Sequence, residues 1–167
     1  MLIYLMRHGI AQDRDDPDSP PDPDRQLTRK GADRTREVAL GLRTLGVDPG
    51  AILTSPYLRA AQTAAIAAHA LRFVGEWVEQ TEALLPNGDP ARLFAELLEV
   101  EADAVLLVGH APNLDEVIAF ALGGGREPVT RLKKAGVACV AVESLAAPRG
   151  RLVWLLEPRA LRRLGAG

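Results

Sequence analysis

Arg7-His8-Gly9, Arg59 and Gly109-His110-Ala111 are the residues of this 167-residue sequence whose types and placement could do chemistry. An imidazole nitrogen can attack phosphorus to give a phosphohistidine, while cationic groups neutralise the charge on the equatorial oxygens. Guanidinium groups hold phosphate in a bidentate fork that lysine cannot reproduce. Transfer of a phosphoryl group asks mainly for positioning and charge stabilisation, so two histidines, two arginines and a helix N-terminus suffice for it without a metal. The same histidines could ligate a metal, but a catalytic zinc site usually takes a third protein ligand, and neither His8 nor His110 stands in a His-x-x-x-His or His-x-His spacing. No metal and no cofactor is expected.

The elements that must position these side chains can be read from apolar periodicity. Short apolar runs over Leu2–Met6, Ala51–Thr54 and Ala104–Val108 predict buried strands, with two later ones over Gly136–Val142 and Arg151–Leu156. Thr28 is placed to cap a helix that runs to about Leu45, with Gly46 just past its end and Val38, Leu42 and Leu45 on one face. A second helix follows Pro56, and its alanine-rich stretch Ala60–Leu71 suits close packing on a sheet. Asp89-Pro90 caps and starts a third, to about Glu99, and Pro112 begins a fourth that ends at Gly123-Gly124-Gly125. Alternating strands and helices predict one three-layer α/β/α domain over 1–167 with a mostly parallel central sheet; the last two strands leave no room for a helix and should form a hairpin. In such sheets ligands bind beyond the carboxyl ends of the strands, where Arg7-His8-Gly9, Ser55 to Arg59 and Gly109-His110 all fall. Arg59 lies in the first turn of its helix, near the positive end.

One stretch breaks the pattern. Between Asp13 and Asp24 stand six aspartates and four prolines with no apolar residue to bury, which predicts a surface loop of limited order. Following His8 so closely, it is also a candidate specificity loop over the site. It should repel small polyanions and favour a partner with basic residues around its phosphosite.

On these residues the chain resembles the histidine phosphatase superfamily, the phosphoglycerate-mutase-like group named for its Arg-His-Gly motif. The resemblance rests on Arg7-His8-Gly9, Leu27-Thr28-x-x-Gly31, Thr54-Ser55-Pro56 leading to Arg59-Ala60 and Gln62-Thr63-Ala64, and Val108-Gly109-His110, in that order. It implies His8 as nucleophile, with Arg7, Arg59, His110 and Ala111 lining the phosphate pocket. The short length, Ala11, and Leu84-Leu85-Pro86 before Gly88-Asp89 resemble the small bacterial SixA-type phosphohistidine phosphatases. Relatives that cleave phosphate esters carry a glutamate that protonates the departing oxygen, and its counterpart falls near Pro86, where no carboxylate stands. An imidazole leaves readily without such an acid, so its absence suits a phosphohistidine substrate. Glu82 and Asp89 lie close enough in sequence for a loop movement to bring either into place as the acid for an ester, and the 13–24 loop is a further source.

Composition narrows the partners. With 20 basic against 22 acidic residues the formal charge is −2, which lacks the basic surplus that nucleic acid or an anionic membrane demands. No apolar span of membrane length and no signal-peptide core occurs, and Cys139, the single cysteine, lies in an apolar run; a cytoplasmic monomer is expected. His69, Trp77 and Trp154 read as structural, and Ser55 lacks the Gly-x-Ser-x-Gly elbow of a serine hydrolase. The expected substrate is a phosphorylated histidine-containing signalling protein. The rivals are a small phosphorylated metabolite and, in a different class, phosphate binding without turnover.

Overall fold

The computed structural model describes residues 1–75, 78–123 and 125–166; Trp77, and Gly124 of the glycine run, lie outside them. Six strands, β1 (Leu2–Arg7), β2 (Ala51–Thr54), β3 (Glu79–Gln80), β4 (Ala104–Gly109), β5 (Val137–Val142) and β6 (Gly150–Leu156), form one sheet in the order β3-β2-β4-β1-β5-β6. The first four strands in that order run parallel, whereas β5 lies antiparallel to β1 and pairs with β6 as the expected hairpin. Among the described residues five α-helices accompany them: α1 (Arg29–Thr44), α2 (Leu58–Leu71), α3 (Pro90–Leu97), α4 (Asn113–Ala121) and α5 (Pro158–Leu164).

Alternation along the central strands feeds two cores. Ile3 and Leu5 of β1, with Val105 and Leu107 of β4, point to the face covered by α3 and α4. Tyr4, Met6, Leu106 and Val108 point to the face covered by α1, α2 and α5. Strands buried on both faces must be apolar at nearly every position, which is why β1 and β4 read as continuous runs. The outcome is the three-layer α/β/α architecture that the sequence predicted.

Thr28 caps α1, its hydroxyl accepting from Gly31 N–H at 2.9 Å, and Asp89 caps α3 ahead of Pro90. Leu45 departs from the expected face: it closes α1 as the C-cap and is 43% exposed. Ala60, Ala64 and Ala67 of α2 are fully buried in the second core, where their small side chains let the helix approach the sheet and α1 closely. The α5 helix, unforeseen from periodicity because it is so short, crosses α1 at Gly41, where a Cβ would stand 2.0 Å from the Leu161 carbonyl oxygen. Cys139 is buried in the core, and that burial pushes its thiol up to about 11, as befits an inert structural cysteine.

Candidate active site

The order β2-β4-β1 sets three parallel carboxyl ends side by side, and the chain leaves each of them carrying one part of the site. At β1 the ladder continues one residue past the strand, His8 N–H donating to Gly109 O at 3.0 Å. The Gly9 N–H then donates to the Thr63 hydroxyl at 3.0 Å, and that hydroxyl donates to Arg59 O at 2.7 Å, tying the loop to α2. His8 Nδ1 lies 2.7 Å from Gly9 O. A carbonyl only accepts, so Nδ1 carries the ring hydrogen and Nε2 of the neutral ring bears the lone pair. Burial lowers the His8 pKa to about 3, against the opposing pull of the Gly9 carbonyl and with help from the Arg59 and Arg7 charges. The ring is neutral and oriented, with its lone pair at Nε2.

Arg59 is brought in by the first turn of α2, where the sequence placed it, and only 2% of it is exposed. Its Nε–H donates toward His8 Nε2 at 3.3 Å, and its guanidinium carbon lies 5.0 Å from the centre of the Tyr57 ring. The other two nitrogens are occupied by the acidic loop: Nη1 donates to Asp22 O at 2.6 Å and Nη2 to Asp22 Oδ2 at 3.2 Å. Arg25 and Arg14 also donate to the Asp22 carboxylate. Burial alone would raise the Asp22 pKa, but these hydrogen bonds and the Arg59 charge outweigh it and hold the carboxyl at about 2. The loop is therefore not merely a solvated acidic run. Its 3₁₀ turn over Asp22–Asp24 sets an ionised carboxylate on the arginine fork, which a phosphoryl group would have to displace.

His110 follows β4. Its ring centre is 5.0 Å from that of His8 and 5.2 Å from that of Tyr57. Nε2 is 2.8 Å from the Ser55 hydroxyl, which leaves Nδ1 with no partner among the described residues. Burial, then the neighbouring His8 and Arg59, lower its pKa to about 2. Gly109 leaves room here for protein rather than ligand, since a Cβ would stand 3.0 Å from Leu84 O. Ala111 is half-buried beside His110, joined to Pro112 by a cis peptide. Arg7 completes the set from the β1 side: its Nη1 donates to Leu132 O at 2.9 Å, and Leu132 N–H donates to the buried Asp115 at the same distance.

The two candidate acids sit apart from this cluster in their contacts. Glu82 is exposed and pairs with Arg92 at 3.4 Å; Asp89 is exposed, caps α3 and pairs with Arg126 at 3.3 Å. His69 is an exposed residue of the last turn of α2, and Trp154 packs 6.0 Å from Tyr4, in keeping with structural roles.

Four residues of the site were not singled out by residue type. Ser55 and Thr63 sit inside the quoted motifs, but nothing in the sequence says that one would meet His110 and the other would bridge Gly9 to Arg59. Asp115, the support beneath Leu132, was hidden in an ordinary helical first turn. Asp22 was one aspartate among six.

A family model described as Histidine phosphatase superfamily (branch 1) matches residues 3–84. An uncharacterised protein of Picosynechococcus sp. is 46% identical over 143 residues, covering 82% of each chain. The phosphohistidine phosphatase SixA of Escherichia coli K12 is 28% identical over 165 residues, covering 97% of each. Among solved structures, the protein histidine phosphatase SixA complexed with tungstate superposes with a TM-score of 0.84 at 28% identity, covering 96% of this chain and 99% of that one. Among the described residues no helix is long and apolar enough to cross a membrane, and no group of three or more histidine, cysteine or carboxylate side chains could hold a metal ion.

Proposed function

Since the chain belongs to the histidine phosphatase superfamily, we propose that this phosphatase takes its phosphoryl group from phosphohistidine on a protein partner, through a phosphohistidine formed on Nε2 of His8. In the first step Nε2 attacks phosphorus in line with the departing imidazole; the N–P bond of the substrate breaks as the new one forms, and the freed nitrogen takes a proton from water. In the second step water attacks the phosphorus on His8, releasing inorganic phosphate and restoring the lone pair. Arg7 and Arg59 neutralise the equatorial oxygens, and His110 donates a hydrogen bond from whichever ring nitrogen carries its proton.

The observation that carries this choice of substrate is the state of the nearby carboxylates. Asp22, which contacts Arg59, is held ionised and has no proton to give. Glu82 and Asp89 are engaged by surface arginines. An alkoxide leaving group needs a general acid, whereas an imidazole leaves without one.

Incubation with a ³²P-phosphohistidine peptide, quenched in alkaline SDS and resolved so that protein and peptide separate, tests the reading. Native protein should retain a base-stable, acid-labile label that His8→Ala loses. Rapid turnover of small phosphate esters, with none of the phosphohistidine peptide, would replace it with a metabolite phosphomonoesterase. Phosphate release from neither would leave a binding module.

A further inference from the structure

Beside Arg7 a groove of about 570 Å³ opens between the N-terminal part of α1, the segment Arg131–Ala135 and α5. Six of its lining residues are cationic: Arg7, Arg34, Arg131, Lys133, Lys134 and Arg162. No acidic residue lines it among the described residues. Lys133 is paired with Glu157 and Arg162 with Glu37, but Arg34, Arg131 and Lys134 have no ion pair among the described residues. On a chain whose formal charge is −2, that concentration of unneutralised positive charge is local, and it gives the groove a positive potential of its own.

The groove is joined to the chemistry by backbone. Ala135 N–H donates to both Arg7 O and His8 O, at 3.0 and 3.1 Å, and Arg7 reaches back to Leu132 O. Lys134 is near enough to His8 for its charge to act on the ring. Arg7, set beside His8 at the end of β1, also lines the groove, so the groove adjoins the candidate phosphate site. The groove's volume far exceeds that of a phosphate ion, and the apolar Ile10, Leu132 and Pro158 stand among its cations, so it suits an extended segment with aliphatic stems and anionic tips.

We propose that this groove docks an acidic segment of the phosphoprotein substrate, a proposal that rests on the phosphohistidine reading above for the identity of that protein. It reverses the preference that the acidic loop suggested. The loop's innermost charge, Asp22, is already neutralised by Arg14, Arg25 and Arg59, whereas the charges of Arg34, Arg131 and Lys134 are not.

The test separates docking from turnover. Two fluorescein-labelled, unphosphorylated peptides are compared by anisotropy at low salt, each with a central histidine, one flanked by glutamates and one by lysines. Native protein should bind the acidic peptide roughly tenfold or more tightly than the basic one. The preference should fade at high salt and be lost in the double variants Arg34→Glu/Arg131→Glu and, more mildly, Arg34→Gln/Arg131→Gln. Unchanged nitrophenyl phosphate turnover in these variants shows that they fold. With the same peptides phosphorylated, kcat/KM should follow the same order.

Equal binding of the two peptides, preference for the basic one, or undiminished acidic-peptide binding by both variants overturns the proposal. So does inorganic triphosphate that binds as tightly with the same dependence on Arg34 and Arg131, which would place a small polyanion in the groove. If neither phosphopeptide is hydrolysed while charge-dependent peptide binding stands, the phosphohistidine reading fails and the docking groove survives it.

Discussion

Asp22 holds both Nη atoms of Arg59, one through its backbone carbonyl at 2.6 Å and the other through its carboxylate at 3.2 Å. On the mechanism proposed above, a resting carboxylate thus occupies the donors that the phosphoryl group takes, and substrate competes with it. Asp22→Asn should lower the Ki of inorganic phosphate as a competitive inhibitor by about fivefold, equivalent to ~1 kcal/mol for a charge-assisted hydrogen bond at a partly exposed site. An unchanged or raised Ki would mean that the carboxylate supports the fork and does not rival the substrate.

The His8 ring carries its own pH prediction. Because burial lowers its pKa to about 3, ¹⁵N NMR should find it neutral, with the hydrogen on Nδ1, from pH 8 down to below pH 5. The unfolded chain takes up this proton near pH 6.5 and the folded chain only near 3, so folding stability should fall as pH drops from 6.5 toward 3. Replacing His8 with Asn should reduce that slope in urea titrations, leaving the share that His110, lowered to about 2, contributes over the same range. A ring that titrates near 6.5 in the folded protein would contradict both expectations.

Thr63 is buried and bridges Gly9 N–H to Arg59 O. Thr63→Val keeps the shape but leaves the Gly9 donor without a partner, so it should cost about 1–3 kcal/mol in chemical denaturation. Because the bridge ties the His8 loop to the helix bearing Arg59, kcat should fall as well, while Thr63→Ser should restore most of both. Loss of stability with full kcat would confine Thr63 to the scaffold.

Glu82→Gln and Asp89→Asn offer a cleaner separation of substrates. If protonation of the leaving group is unnecessary, the double variant should hydrolyse a phosphohistidine peptide at the native rate within about twofold, since both side chains are exposed and their ion pairs contribute little. A drop of about a hundredfold or more, the scale of a lost general acid, would assign one of them that role.

Much of this arrangement was legible in advance because it follows from local rules. Thr28 and Asp89 announce helix starts by capping chemistry, and β1 and β4 announce burial by unbroken apolar runs. His8, Arg59 and His110 could be gathered because strand ends in an open parallel sheet share one edge. What stayed hidden depends on tertiary distance. Asp22 looked like one more solvated aspartate until the fold laid it on Arg59, and Asp115 gives no local hint that it will hold Leu132 beneath Arg7. The α5 helix lacked the length to show a period, though Glu157-Pro158 is a legitimate start signal.

The place of β4 has a consequence for synthesis of the chain. β4 is inserted between β1 and β2, with Leu2 opposite Ala104 and Ala51 opposite Val105, so neither early strand touches the other directly. A ribosome that has delivered Arg7, His8 and Arg59 has made three of the four groups gathered at the strand ends, yet the strands that lead to them gain a common ladder partner only when the strand around Leu106 arrives to pair on both sides. Such distant parallel pairings are slow to close. On the proposed mechanism activity is thereby tied to completion of the sheet, because His110 arrives only with β4, and an unfinished chain carries His8 unarmed.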